Sequence, residues 1–167
     1  GGRNFLNVSN APLSTEAAIA FVADQEHGAA DLFIGTVRNH NLGKQVKGVS
    51  YDVFDELTLT TFETLAQEAR QKWGEKLNVY IEHFKGRLDI GGISILIAVS
   101  SPHRDESFKA CRFIIEEITQ GIDPAFTRYH DNISRRIYPL DTHSLFLKFL
   151  QQNPDITAYI NYQVLCL

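Results

Sequence analysis

Read for its hydrophobic and polar positions, the chain divides into apolar or alternating runs of strand length and longer stretches at helical spacing. The most apolar run, Ile93 to Val99 (Ile-Ser-Ile-Leu-Ile-Ala-Val), barely alternates and predicts a strand buried on most of its surface. Ala29 to Val37 is rich in strand formers and predicts a central strand, with Gly35 marking a bulge or a close approach. Gly48 to Phe54 alternates as a further strand, and Leu77 to Phe84 predicts another with Val79 and Ile81 on one face. A last alternating strand, Ile156 to Leu165, follows Asn153-Pro154.

Helical spacing falls between these runs. Ser14-Thr15-Glu16 opens a short helix with Ala18, Ile19 and Val22 apolar, closing by His27-Gly28 with Gly28 as a left-handed terminator. Asp55 caps a long helix whose buried face is Phe62, Leu65, Ala69 and Trp73, ending near Gly74. Ser101 as N-cap and Pro102 at the first helical position open a helix over 102–119, with Phe108, Cys111, Ile115 and Ile118 as its stripe. Gly121-Ile122-Asp123-Pro124 breaks that pattern, and a short helix near Asp141 carries Leu145, Phe146 and Phe149. Residues 1–12 read as an extended lead-in, Arg38 to Lys44 as a cationic loop, and Lys85 to Gly92 as a turn. With no repeat, low-complexity tract or linker, residues 1–167 form one α+β domain with a mixed, mainly antiparallel sheet.

Composition narrows the function classes. A chain of 167 residues with 44% hydrophobic and 22% charged content suits one globular domain with a core. No apolar run nears the roughly 18 residues of a membrane span, and Gly1-Gly2-Arg3-Asn4 lacks the apolar core of a signal peptide. Cys111 and Cys166 match neither a disulfide framework nor a zinc site, which predicts a cytoplasmic setting. The net charge of −4 argues against nucleic acid as a partner, so any anion affinity is local.

Most catalytic patterns are missing. No histidine pair has i, i+4 spacing, and no HExxH or cysteine cluster occurs, so no metal site is expected. Cys111 lies on an apolar stripe and reads as an inert buried thiol. Ser100 and Ser101 lie near His103 without a nucleophile elbow, and Gly91-Gly92 is a tight turn, not a phosphate loop. What remains is a set of cations after strand ends: Arg38, His40, Lys44, His103, Arg104 and, in the tail, Arg128, Arg135 and Arg136. Arginine suits bidentate contact with phosphate or carboxylate. His103 and Arg104 in a first helical turn fit an anion site, and they equally fit a plain cap with Arg104 paired to Asp105 or Glu106.

Two long motifs carry a resemblance. Phe33-Ile34-Gly35-Thr36-Val37-Arg38-Asn39-His40-Asn41 and Val99-Ser100-Ser101-Pro102-His103-Arg104, with Ser107-Phe108-Lys109-Ala110 after it, resemble the two signatures of the molybdopterin synthase large (catalytic) subunit family. Gln71-Lys72-Trp73 and His83-Phe84-Lys85-Gly86-Arg87-Leu88 fit segments between them, and the likeness runs from about residue 13 to about residue 130. The resemblance implies an α/β-hammerhead fold with two principal helices. It also implies a homodimer within a heterotetramer, carrying a small ubiquitin-like sulfur-carrier subunit at each end. The implied reaction transfers sulfur from the carrier's C-terminal thiocarboxylate to cyclic pyranopterin monophosphate, forming the dithiolene of molybdopterin without a cofactor in this subunit. It assigns Thr36, Val37, Arg38, His103 and Arg104 to substrate binding, the signatures forming two halves of one pterin-phosphate pocket. Arg135 and Arg136 of the tail are further candidates for binding substrate.

The family pattern breaks after the second signature helix. Where a proline, an aromatic residue and a catalytic lysine are expected, this chain has Asp123-Pro124-Ala125-Phe126-Thr127-Arg128-Tyr129, and Thr127 takes the lysine position. Threonine has no group titrating near neutrality, and acid–base assistance is typically worth about 10²–10⁴-fold. Three readings stay open: Arg128 supplies the charge, a lysine such as Lys109 or Lys44 substitutes, or the chain binds carrier or pterin without turnover. The tail over 131–167 also departs from the family pattern.

Overall fold

The computed structural model describes residues 1–120, 151–152 and 160–167. The buried strands come first. β5 (Asn78–Phe84) and β7 (Ile93–Ser101) pair antiparallel at the centre of a four-stranded sheet. β1 (Asn4–Ser9) lies parallel to β5, and β2 (Ala29–Thr36) lies antiparallel to β7, giving the order β1-β5-β7-β2. The N-terminal lead-in is therefore a sheet strand, and β2 is an edge strand of this sheet, not its centre. The register of β2 on β7 shifts between Gly35 and Thr36, the irregularity expected at Gly35.

Helices cover both faces because successive side chains of β5 and β7 point to opposite sides. α2 (Asp55–Trp73) and α3 (Arg104–Gln120) pack Phe62, Leu65, Ala69, Cys111, Ile114 and Ile118 over Ile81 and Ile97. α1 (Thr15–Val22) covers the other face, with Ala18 and Val22 against Tyr80, Leu96 and Ala98. Ser14 caps α1 by accepting from the Ala17 N–H.

A second sheet is built on β4 (Lys44–Val53), which pairs antiparallel with β3 (His40–Asn41), β6 (Gly86–Asp89) and β8 (Ile160–Cys166). The cationic loop thus holds a short hairpin, and the Lys85–Gly92 turn holds a strand. Pairing is mainly antiparallel in an α+β fold, with two long helices, and the strands divide between two sheets.

Several helix ends differ from expectation. α1 stops at Val22 because the tertiary structure satisfies its last carbonyls: Arg3 donates to Phe21 and Ala23, while Asn78 and Ser100 donate to Val22. Gly28 is not left-handed; its N–H donates to the Pro102 carbonyl at 3.1 Å, and a Cβ there would stand 3.0 Å from that oxygen. Asp55 is the first residue of α2 instead of its cap, and Phe54 precedes it without a side-chain cap. α3 begins at Arg104, since Ser101 finishes β7 and Pro102 and His103 form the bend. The buried stripe of α3 is Ser107, Ala110, Cys111, Ile114 and Ile118; Phe108, one position around the helix, is 59% exposed. Ile19 of α1 is likewise exposed, and Trp73 is only partly buried, edge-on to Phe113. The predicted helix near Asp141 lies outside the described residues.

Candidate functional site

Arg38 follows the end of β2, where Val37 is pinned. The Val37 N–H donates to the Gly92 carbonyl at 3.1 Å, and the Val37 carbonyl accepts from the Gly91 N–H at 2.9 Å. Gly91 sits at φ 82°, in the left-handed region that glycine reaches without a Cβ clash. Val37 is buried, and Thr36 and Arg38 on either side of it border a cavity of about 190 Å³. His40, from the β3–β4 hairpin, joins them on the rim. The cavity wall is apolar and aromatic, and register explains it: Tyr51 of β4 stands directly opposite Tyr162 of β8, and Val49 opposite Val164. The two tyrosine rings lie 6.3 Å apart, and Tyr51 also meets His83 edge-on at 5.0 Å. Burial, foremost, pushes the Tyr51 hydroxyl above its ordinary pKa. Arg38 makes no ion pair with another described residue.

The second signature forms a braced bend. The buried Ser101 hydroxyl donates to the His103 carbonyl, and Gly28 ties to Pro102 across the bend. Ser100 donates its hydroxyl proton to the Val22 carbonyl at 2.6 Å and meets His27 Nδ1 at 2.7 Å. A hydroxyl has one proton to give, so the His27 Nδ1–H is the donor in that contact. These bonds lace residues 22–28 to residues 100–103 and present His103 and Arg104 at the mouth of a cavity of about 490 Å³ beside Phe108. Asp105 is taken by Lys109 at 2.9 Å, and Arg104 forms no ion pair with another described residue, which leaves its guanidinium open to an outside anion. The helix N-terminus itself is less available, since Asp105 and Glu106 already occupy its first turn.

The structure thus brings Thr36, Val37 and Arg38 together, and His103 with Arg104, but it does not bring the two groups together in one chain. β2 and β7 are antiparallel, with Thr36 opposite Ile93 and Ala29 opposite Ser101, so the clusters sit at opposite ends of the strand pair. Eight residue steps at about 3.3 Å place those ends about 26 Å apart. Thr127, Arg128, Arg135 and Arg136 lie outside the described residues. Lys109 is engaged by Asp105, and Lys44 begins β4 beyond the hairpin turn. Tyr51, Tyr162 and Val164 are wall residues that sequence reading missed. Both strands alternate visibly, but nothing in the alternation says that they pair.

Other chemistry is restricted. Among the described residues no cluster of three or more His, Cys, Asp or Glu side chains could hold a metal. Burial pushes the Cys111 thiol up to about 12, so it carries almost no thiolate at neutral pH. No helix among the described residues is long and apolar enough to cross a membrane.

Comparison with known proteins identifies the family. The family model described as "MoaE protein" matches residues 8–120, which contain both signatures. This chain belongs to the MoaE family. One member, the molybdopterin synthase catalytic subunit of Synechococcus elongatus, is 39% identical over 116 residues, covering 70% of this chain and 70% of that protein. The crystal structure of molybdopterin synthase from Staphylococcus aureus superposes with a TM-score of 0.64 at 30% identity, over 66% of this chain and 80% of that one. A Helicobacter pylori structure, a complex of subunits 1 and 2 of molybdopterin-converting factor, shares the fold at a TM-score of 0.51 and 22% identity, over 70% of this chain and 75% of that one. The MoaE match ends at residue 120, so the tail, with the β8 wall of the Arg38 cavity, stands outside it.

Proposed function

We propose that this chain is the catalytic subunit of a molybdopterin synthase, moving sulfur from a carrier's C-terminal thiocarboxylate to cyclic pyranopterin monophosphate. The observation that carries the reading is the placement of both family signatures at strand ends, each presenting an arginine with no ion-pair partner among the described residues. Fixed guanidinium groups suit an anionic cyclic phosphate, and cations near a developing oxyanion lower the barrier to acyl-sulfur transfer. One thiocarboxylate delivers one sulfur and a dithiolene holds two, so each product consumes two loaded carriers.

The separation of the clusters favours a homodimer. Among the described strands β2 is an open edge whose Phe33 and Ile34, on opposite faces, are 37% and 44% exposed, and it carries neither proline nor lysine to deter pairing. Two copies pairing antiparallel along β2 would set the Arg38 end of one beside the His103 end of the other, completing a shared site. The small carrier would then deliver its thiocarboxylate to that shared site.

Reconstitution with a thiocarboxylated carrier and cyclic pyranopterin monophosphate tests the activity, and molybdopterin formation is the expected result. Carrier binding without turnover refutes it and favours the binding-only reading suggested by Thr127. In that case Thr127→Lys gives a large gain from a near-zero baseline. Mixing Arg38→Ala with Arg104→Ala protein tests the shared site. After full exchange half the dimers are mixed and each keeps one intact site, restoring about a quarter of wild-type sites. No restoration refutes sharing.

A further inference from the structure

The Arg38 cavity has a wall that the family match does not supply. Two of its apolar members, Tyr162 and Val164, come from β8, which lies beyond residue 120 where the match ends. They reach the cavity because β8 pairs with β4 in a register that puts Tyr162 opposite Tyr51 and Val164 opposite Val49. Side chains directly opposed across an antiparallel pair share one face. The wall therefore draws on β4 through Val46, Val49 and Tyr51 and on β8 through Tyr162 and Val164, and Arg38 and His40 line the same cavity. Aromatic rings beside a guanidinium suit a planar heterocycle that carries an anion: the ring packs on the aromatic face, and the arginine takes the charge. Neither surface alone does both.

We propose that Tyr162 is a substrate-binding residue, whose ring, with Tyr51, forms the surface against which the pterin ring system packs while Arg38 holds the phosphate. The proposal rests on the molybdopterin synthase reading and adds to it a contact from this chain's own tail. It attributes the contact to the aromatic face of Tyr162 and not to its hydroxyl. It also places the effect on the pterin and not on the carrier.

The test is steady-state kinetics with cyclic pyranopterin monophosphate and thiocarboxylated carrier, each varied in turn. Tyr162→Ala is expected to raise KM for the pterin about tenfold or more, with kcat and the carrier KM unchanged. Tyr162→Phe retains the ring and is expected to match wild type. Inorganic phosphate, as a competitive probe of Arg38, is expected to inhibit wild type and Tyr162→Ala with equal strength. Tyr162→Leu keeps the bulk in the strand; it serves where the alanine variant does not fold, and it is expected to show the same pterin defect. An unchanged pterin KM in a folded Tyr162→Ala or Tyr162→Leu protein overturns the proposal. So does an equal defect in Tyr162→Phe, or a loss confined to kcat or to the carrier. A wild-type protein without turnover removes the underlying reading and this proposal with it; an active wild type with an indifferent Tyr162→Ala removes the proposal alone.

Discussion

Ser100→Ala should cost about 2 kcal/mol of stability, and the magnitude follows from a count of partners. Ser100 is 1% exposed and joins three elements: it belongs to β7, donates to Val22 at the end of α1, and accepts from His27 in the connection to β2. The Val22 carbonyl is among the last four of α1 and has no partner within the helix. Asn78 donates to it as well, at 3.2 Å, so the oxygen keeps one bond when Ser100 is truncated. The loss is thus about one net hydrogen bond, near 1 kcal/mol, instead of the full penalty for a stranded acceptor. The His27 Nδ1–H, half-buried, loses its acceptor and adds about 1 kcal/mol. With a urea slope of about 2 kcal/mol/M, the unfolding midpoint should fall by about 1 M. Asn78→Ala combined with Ser100→Ala leaves the carbonyl bare, and the double variant should lose more than the sum of the singles, by about 1 kcal/mol. The same brace holds the His103–Arg104 bend, so the pterin KM should rise along with the loss of stability. A midpoint unchanged in Ser100→Ala, or strictly additive losses in the double variant, would refute the shared-acceptor account.

Burial lowers the His83 pKa from 6.5 to about 4, so the native state refuses a proton that the unfolded chain accepts between those values. Stability should therefore fall as the pH drops from about 6.5 to about 4, at up to about 1.4 kcal/mol per pH unit, and denaturant titrations of His83→Asn should show a flatter slope. Below about pH 4 both states hold the proton and the His83 contribution levels off. Native protein treated with iodoacetamide at pH 8 should take one label, on exposed Cys166, with Cys111 labelled only after unfolding; peptide mass mapping reads the difference. Arg70 of α2 donates to the carbonyls of Leu77 and Arg3 and to the Asn4 side chain, clamping β1 onto β5. Arg70→Met should cost about 2 kcal/mol and speed hydrogen exchange in residues 4–9 ahead of the rest of the sheet; unchanged exchange there would count against the clamp.

The sequence by itself determined the elements whose signal is local. A nearly continuous apolar run identifies β7, Val79 and Ile81 on one face identify β5, 3.6-residue periodicity identifies α2 and α3, and two contiguous signatures identify the family, because each depends on neighbours along the chain. The candidate site residues Arg38, His103 and Arg104 were legible for the same reason: they stand just after predicted strands. Tertiary structure decided whatever depends on distant segments meeting. β1 became a strand because β5 offered a partner, and β2 became an edge because nothing described pairs with its other side. α1 ended where Arg3, Asn78 and Ser100 reached its carbonyls, and α3 started two residues late because Ser101 stayed in β7. Antiparallel pairing of β2 with β7 set the two arginine clusters at opposite ends of one strand pair. Pairing of β8 with β4 put Tyr162 into the lining of the cavity that Arg38 also borders. Strand alternation tells which side chains share a face, but it carries no information about which strand lies next to it, and pairing is what assembles the site.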